Sequence, residues 1–508
     1  MILDGRTVEP GARLATDLCI IGGGPAGVTV ARAFEGSNVS VCLLESGGFE
    51  DDAASQALNR GIDEGTIARA DHLFMSRRRR FGGTTAVWGG WCRPLDDIDF
   101  EARDWVPHSG WPFGRETLAP YYDRAATVLR IDPLDRDTGD FEGVPGTNPL
   151  EKHPDVVTRV FQASPTEHGR FGEIHRDALK TSANIRLIFF ANAVDLETDE
   201  HAKAVTAIKV ASLGGRHFVV TPKVVVLAMG GIENPRLLLL SNRVQGQGLG
   251  NGHDVVGRYY MEHPWIYNAG RIVLVNTPRV ARAFKVENSD VWRFQALGLS
   301  EATQRRLKLM NFRAYLKGVP GSAGDTVDQA IGRAATHLAH AAGRKVATDG
   351  MARQYFQMDV SSEQAPDPDS RVTLAEARDA FGNRMARLDW RLSALDRRTI
   401  RRSMAVIASG LGRELSGRMK NGVGNLEPWP ERTAGGHHHM GGTRIHEDPK
   451  RGVVDAQCRV HGVANLFVAG SSVFPTVGFA NPTFTIVALA ARLADHLKAI
   501  LRHGNTFP

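Results

Sequence analysis

Apolar residues fall in short runs separated by glycine, and their spacing predicts strands alternating with helices. Leu18 to Ile21 reads as a buried strand and stops at Gly22-Gly23-Gly24. Pro25 then suits the first position of a helix, and Val39 to Leu44 reads as a second strand. Leu118, Tyr121, Tyr122, Ala125 and Leu129 recur at helical spacing, which predicts a helix over Phe113 to Arg130. Ile185 to Val194 reads as one strand, and Val205 to Val210 with His217 to Val220 as a hairpin around Gly214-Gly215. Lys223 to Ala228 is a further apolar strand, entering Met229-Gly230-Gly231, after which Asn234-Pro235 opens a helix, Arg236 to Leu240.

From residue 262 to about 435 the pattern changes. Phe294 to Leu299, Phe312 to Leu316, Tyr355 to Val360, Arg371 to Leu374 and Met385 to Trp390 read as strands, and Ala394 to Met419 as one long helix. Residues 133–154 read as a surface loop, and the small, polar stretch 323–347 as a mobile cover. The last stretch returns to glycine-rich sequence and ends in a helix, Phe484 to Leu501. The chain therefore divides into a first unit, 1–261, an inserted unit, 262–435, and a return to the first unit, 436–508.

The first unit carries a nucleotide signature. Gly22, Gly24 and Gly27 form G-x-G-x-x-G between a strand and a helix. The first glycine allows the turn, the second lets a pyrophosphate approach the backbone, and the third lets helix pack on strand. Glu45 follows the second strand, where a carboxylate takes a ribose hydroxyl pair. Dinucleotide binding follows from this agreement.

Composition adds exclusions. The chain has 508 residues, 42% hydrophobic and 23% charged, as in globular proteins. A net charge of +6 is spread along the chain, and the run Arg77 to Arg80 lacks interleaved aromatics, so nucleic acid is not an expected partner. That run reads either as a solvated face or as a phosphate or substrate contact. Four cysteines without a C-x-x-C pair argue for reduced thiols in a cytoplasmic protein. No stretch of 18 apolar residues occurs, so no membrane span is expected.

Two more glycine-rich blocks carry candidate chemistry. Gly82 to Trp91 holds four glycines and two tryptophans, which suits backbone pressed against a flat ligand or a packed turn. His437-His438-His439 precedes Met440-Gly441-Gly442-Thr443. Three consecutive residues on regular backbone cannot all face one ion, so no metal site is expected there. Asn481 before Pro482 reads, most simply, as a helix N-cap.

Taken together, the fingerprint with Glu45, Gly82-Gly83-Thr84-Thr85, Gly230-Gly231 with Asn234-Pro235, and the block from His439 to Thr483 resemble the glucose–methanol–choline (GMC) family of FAD oxidoreductases. His439-Met440-Gly441-Gly442-Thr443 and Gly478-Phe479-Ala480-Asn481-Pro482-Thr483 resemble most its pyranose oxidase-like, bacterial glycoside 3-oxidase branch. The resemblance implies an α/β fold: a Rossmann-type FAD-binding domain with a second α+β substrate domain on an antiparallel sheet. It implies a catalytic pair, His439 as base and Asn481 as hydroxyl anchor, with His439 chosen over His438 by its spacing to Gly441-Gly442-Thr443. It implies that Gly22, Gly24, Ala26 and Gly27 take the pyrophosphate, Glu45 the ribose and the Val194 backbone the adenine. Thr84 and Gly89 would border phosphates and ring, and Gly470 and Thr483 the ribityl and pyrimidine parts. Fungal pyranose oxidases attach flavin to a histidine at the position matching Val87, so FAD is expected without a covalent link.

The activity implied is oxidation of a secondary hydroxyl, C2 or C3, of a pyranose sugar or glycoside. Electrons would pass to O2 or another acceptor. The alternative is a dehydrogenase of a non-sugar alcohol or sugar acid that serves a quinone or partner protein.

Overall fold

The computed structural model describes residues 1–66, 71–133, 153–165, 171–275, 292–318, 353–415 and 417–502. The expected surface loop at 133–154 and the cover at 323–347 lie almost wholly outside these.

A parallel sheet organises the first unit. Its neighbours run Ile2–Asp4, Ile185–Phe189, Val41–Leu44, Arg13–Ile21 and His217–Leu227, with Leu466–Val468 against the last. Leu18 to Ile20, Leu43 and Val224 to Leu227 are inaccessible to solvent, as expected of parallel strands covered on both faces. The helix Pro25–Ala33 packs against the C-terminal helix Thr483–Arg502. The first sixty residues and the last seventy thus share one core.

Three predicted boundaries differ. Ile185 to Val194 is two strands, Ile185–Phe189 and Asn192–Thr198, because Phe190 turns the chain at φ 51°. His217 to Ala228 is one strand, His217–Leu227: its start pairs antiparallel with Val205–Ala211, and from Val219 to its end it pairs parallel with Arg13–Ile21. The helix after Met229 runs Gly230–Leu240 with Pro235 inside it. Asn234 does not open that helix. Its side chain accepts from Met229 N and donates to Ala469 O and Ser472 Oγ, tying the helix to the C-terminal block.

The second sheet is antiparallel throughout, in the order Arg418–Asn421, Pro264–Val275, Arg353–Ser362, Phe312–Gly318, Trp292–Leu299, Val156–Ala163 and Trp91–Cys92. Two of its strands precede residue 262 in the chain. The helix Ala394–Leu415 packs on this sheet through Ile400, Met404, Ile407 and Leu411. It ends before Met419, which lies in the edge strand Arg418–Asn421. A small third sheet joins Arg371–Arg378, Arg384–Trp390 and Gly61–Gly65. All four cysteines are free and buried. No helix among the described residues is long and apolar enough to cross a membrane.

Candidate active site

One cavity of about 930 Å³ runs from the parallel sheet to the antiparallel one. It is lined by Gly22, Gly24, Ala26, Glu45, Thr84, Gly89, Val194, Gly470, Asn481 and Thr483, and also by His437, His438 and His439. Gly27 is not on its wall. A Cβ there would lie 1.9 Å from Gly22 O, so Gly27 serves the contact of helix on turn. A Cβ on Gly24 would meet nothing within 4 Å, and this is the open cradle a pyrophosphate needs.

The rest of the cavity fits the same ligand. The helices Pro25–Ala33 and Thr483–Arg502 both begin on its wall, so their first N–H groups and positive dipole ends serve electron-rich groups. Val194 sits at a break in the ladder between Asn192–Thr198 and Val205–Ala211. Glu45 accepts from Gly23 N at 2.8 Å and Gly47 N at 2.9 Å, which fixes its carboxylate. Burial nonetheless pushes its pKa up to about 7, against those bonds and the Arg79 charge. Val87 lines the cavity and is 54% exposed, with no group able to bond covalently.

The arginine run is not a solvated face. Arg77 and Arg79 converge on Glu233 at 2.6 and 3.1 Å, and Arg236 reaches the same carboxylate at 3.0 Å. Three cations hold the Glu233 carboxyl far below its ordinary range against the desolvation of the site. Glu233 carries no signal in the sequence because two of its three partners, Arg77 and Arg79, lie some 150 positions away.

At the far end of the cavity, four side chains form a directed chain of hydrogen bonds. Arg313 Nη1 donates to Asn481 Oδ1 at 2.7 Å. Asn481 Nδ2 lies 3.2 Å from His438 Nε2, His438 Nδ1 lies 2.9 Å from His263 Nδ1, and His263 Nε2 lies 3.0 Å from Gly478 O. Both ends fix the direction, because a guanidinium can only donate and a carbonyl can only accept. The Asn481 amide therefore donates to His438 Nε2. His438 carries its proton on Nδ1 and gives it to His263, whose Nε2–H goes to Gly478. This leaves a neutral His438 whose Nε2 lone pair faces Asn481. Burial holds the His438 pKa well below its ordinary value, with the Arg313 charge acting in the same direction. Burial likewise lowers His263 to about 3.

The expected partner of Asn481, His439, stands elsewhere. Its Nε2 points to Glu262 at 4.0 Å, and its ring lies edge-on to His72. The two rings leave the loop toward different partners, His438 toward His263 and Asn481, His439 toward Glu262 and His72. Asn481 does not cap a helix with its side chain, which is committed to Arg313 and His438. Arg313 and His263 carried no sequence signal, since a lone arginine or histidine in a strand region reads as ordinary.

Aromatic rings wall this end. Trp265 and Tyr315 stack at 5.2 Å and 15°, and Trp91 and Phe294 meet at 3.9 Å. Tyr267, Gln295 and Lys317 add polar atoms to the same wall.

A GMC oxidoreductase family model matches residues 366–490. A 2-methyl-1,2-propanediol dehydrogenase of Mycolicibacterium austroafricanum is 24% identical over 95% of each chain. A 6'''-hydroxyparomomycin C oxidase of Streptomyces lividus is 24% identical over 97% of this chain and 94% of its own. A C-glycoside 3-oxidase of Microbacterium trichothecenolyticum is 33% identical over a shorter stretch, 23% of this chain and 22% of its own. Among solved structures, a formate oxidase of Aspergillus oryzae, studied for modification of its FAD, superposes with a TM-score of 0.58 at 17% identity. That match covers 98% of this chain and all of the other.

Proposed function

We propose that this chain, which belongs to the GMC oxidoreductase family, uses non-covalent FAD to oxidise a secondary hydroxyl of a pyranose sugar or glycoside, at C2 or C3, to a ketone. The observation that carries the proposal is the oriented His438–Asn481 pair at the end of the dinucleotide cleft. Bound FAD would supply the hydride acceptor.

The chain's own residues do the rest. Asn481 Nδ2 turns from His438 to hold the substrate oxygen, and His438 Nε2 takes the hydroxyl proton as hydride leaves the carbon. A positioned base of this kind contributes roughly 10²- to 10⁴-fold. Arg313 keeps the Asn481 oxygen turned away from the substrate, so the amide presents donors only. The His263 acceptor keeps the His438 proton on Nδ1. The aromatic wall of Trp265, Tyr315 and Phe294 offers apolar faces to the C–H side of a sugar ring, and Gln295 and Lys317 supply hydrogen bonds to its hydroxyls. This wall favours a ring-shaped substrate over a small diol or sugar acid. The C-glycoside 3-oxidase and hydroxyparomomycin oxidase relatives support a sugar-borne hydroxyl. Val87 supports the absence of a covalent link.

The test is anaerobic mixing of purified protein with glucose, O- and C-glycosides, small 1,2-diols and sugar acids. Bleaching of the flavin band by glycosides, with a C2 or C3 ketone identified by NMR, is expected. Bleaching by diols or sugar acids alone would favour the dehydrogenase alternative. Readmission of O2 then reports whether peroxide forms. Denaturation is expected to release all the yellow colour from the protein.

A further inference from the structure

Behind the loop that carries His438 lies a second cluster, which the reaction does not use. We propose that His72, Glu262 and His439 form a buried binding site for one divalent transition-metal ion, with zinc favoured by the donor set. His72 Nε2, a Glu262 carboxylate oxygen and His439 Nε2 all lie within 4.8 Å of one another. His72 Nε2 is 3.2 Å from Glu262 Oε2, and His439 Nε2 is 4.0 Å from Glu262 Oε1.

Three features separate this cluster from an ordinary buried ion pair. First, His72 Nε2, Glu262 Oε2 and His439 Nε2 are each buried without a hydrogen-bond partner. A buried polar atom left unmade costs about 1–3 kcal/mol, and a shared proton relieves only two of the three. A cation serves all three at once. Second, the His72–Glu262 ion pair at 3.2 Å leaves His439 Nε2, 4.0 Å from the same carboxylate, outside the pair. Third, Glu262 Oε1 accepts from His438 N at 3.0 Å, which fixes the carboxylate and leaves Oε2 free for the shared centre. Outer hydrogen bonds of this kind orient metal ligands.

The donors suit zinc. Two imidazoles and one carboxylate are a known zinc set, and bonds of about 2.0–2.2 Å imply donors about 3.3 Å apart in a tetrahedral shell. His72 Nε2 already stands 3.2 Å from Oε2, and with all three donors within 4.8 Å of one another the His439 ring must close by up to about 1.5 Å. Two neutral imidazoles and one carboxylate leave a net charge of −1 for a dication. The nearby Arg77 does not cancel it, because Arg77 is paired with Glu233 at 2.6 Å. Tyr260, fully buried beside Glu262, is the side chain that would complete the shell directly or through a water. Of the three consecutive histidines only His439 takes part, which satisfies the backbone objection to a triple-histidine site. The ion would join the helix His72–Met75, the approach to the strand Pro264–Val275 and the His437 to His439 loop. It would thus hold in place the segment that presents His438.

Metal analysis of the FAD-loaded enzyme, prepared without a metal-affinity step, tests this. One transition-metal ion per chain is expected. Dialysis against a chelator should remove it and lower the Tm, and Zn2+ should restore both. Co2+ loaded into the stripped enzyme should give ligand-field bands to the red of the flavin absorption. His72→Asn and Glu262→Gln should keep FAD, read at the flavin band, yet lose the ion. The proposal is overturned if the enzyme holds no stoichiometric metal and the stripped wild type shows no saturable Zn2+ binding. It is equally overturned if folded His72→Asn binds Zn2+ as the wild type does. Should the variants not fold, the wild-type Zn2+ titration alone decides. None of these readouts depends on which substrate the enzyme oxidises.

Discussion

Replacing Arg313 with Met should separate activity from stability. The guanidinium is fully buried, lies 5.1 and 5.3 Å over the rings of Trp265 and Tyr315, and donates from Nη1 to Asn481. Its Nε and Nη2 have no hydrogen-bond partner among the described residues. Burial lowers its pKa, so the fold bears the cost of an incompletely satisfied cation. Met fills similar length with an adaptable apolar chain, and exchanging buried charge for apolar volume is often neutral or stabilising. What is lost is the clamp on Asn481. A hydrogen bond from a charged donor is worth about 1.5–3 kcal/mol, or roughly 10- to 150-fold if all of it holds the amide in one orientation. With the clamp gone, a flipped amide presents oxygen to His438 Nε2, and the imidazole answers by moving its proton to that nitrogen. The base is then blocked. Anaerobic stopped-flow reduction of the flavin should slow by that factor in Arg313→Met, while calorimetry finds a Tm equal to or above wild type. Reduction within twofold of wild type would refute the clamp. A Tm several degrees lower would refute the view of Arg313 as a cost to the fold.

Other outcomes follow from the same geometry. Gly24→Leu should fold, because a Cβ there meets nothing within 4 Å, yet it fills the phosphate cradle. The purified variant should be colourless with wild-type circular dichroism, and full FAD content would contradict the assignment. His175 Nδ1 lies 2.7 Å from Arg32 Nη1, and burial with the Arg32 charge lowers its pKa to about 4. The unfolded chain binds this proton at about pH 6.5 but the folded chain only near 4, so stability falls as pH drops through that window, by up to about 3 kcal/mol. His175→Gln should flatten that part of the Tm–pH curve, and an unchanged slope would remove His175 from the account.

Much of this was legible in the chain because it is local. Gly22 to Glu45 is contiguous, and its strand, turn and helix each carry their own signal, so the dinucleotide cleft follows from a thirty-residue window. The strand pattern of 292–390 also reads correctly, since alternation marks each strand without knowledge of its neighbours. Failures occur where long-range contacts decide. Phe190 breaks a mostly apolar run that reads as one strand, and Pro235 sits inside a helix whose Asn234 ties it to Ser472. Spacing points to His439 but cannot tell which of three adjacent rings faces Asn481. That choice is made by Glu262, Arg313 and His263, which come from residues 262–435.

The central claim is that His438, turned toward Asn481, is the group that takes the substrate proton. It is tested most directly by comparing flavin reduction in His438→Ala and His439→Ala, each checked for full FAD content, with the same glycoside under anaerobic conditions. The account predicts that His438→Ala slows reduction by at least about 10²-fold. Near-wild-type reduction by His438→Ala, with that loss appearing in His439→Ala instead, would contradict it.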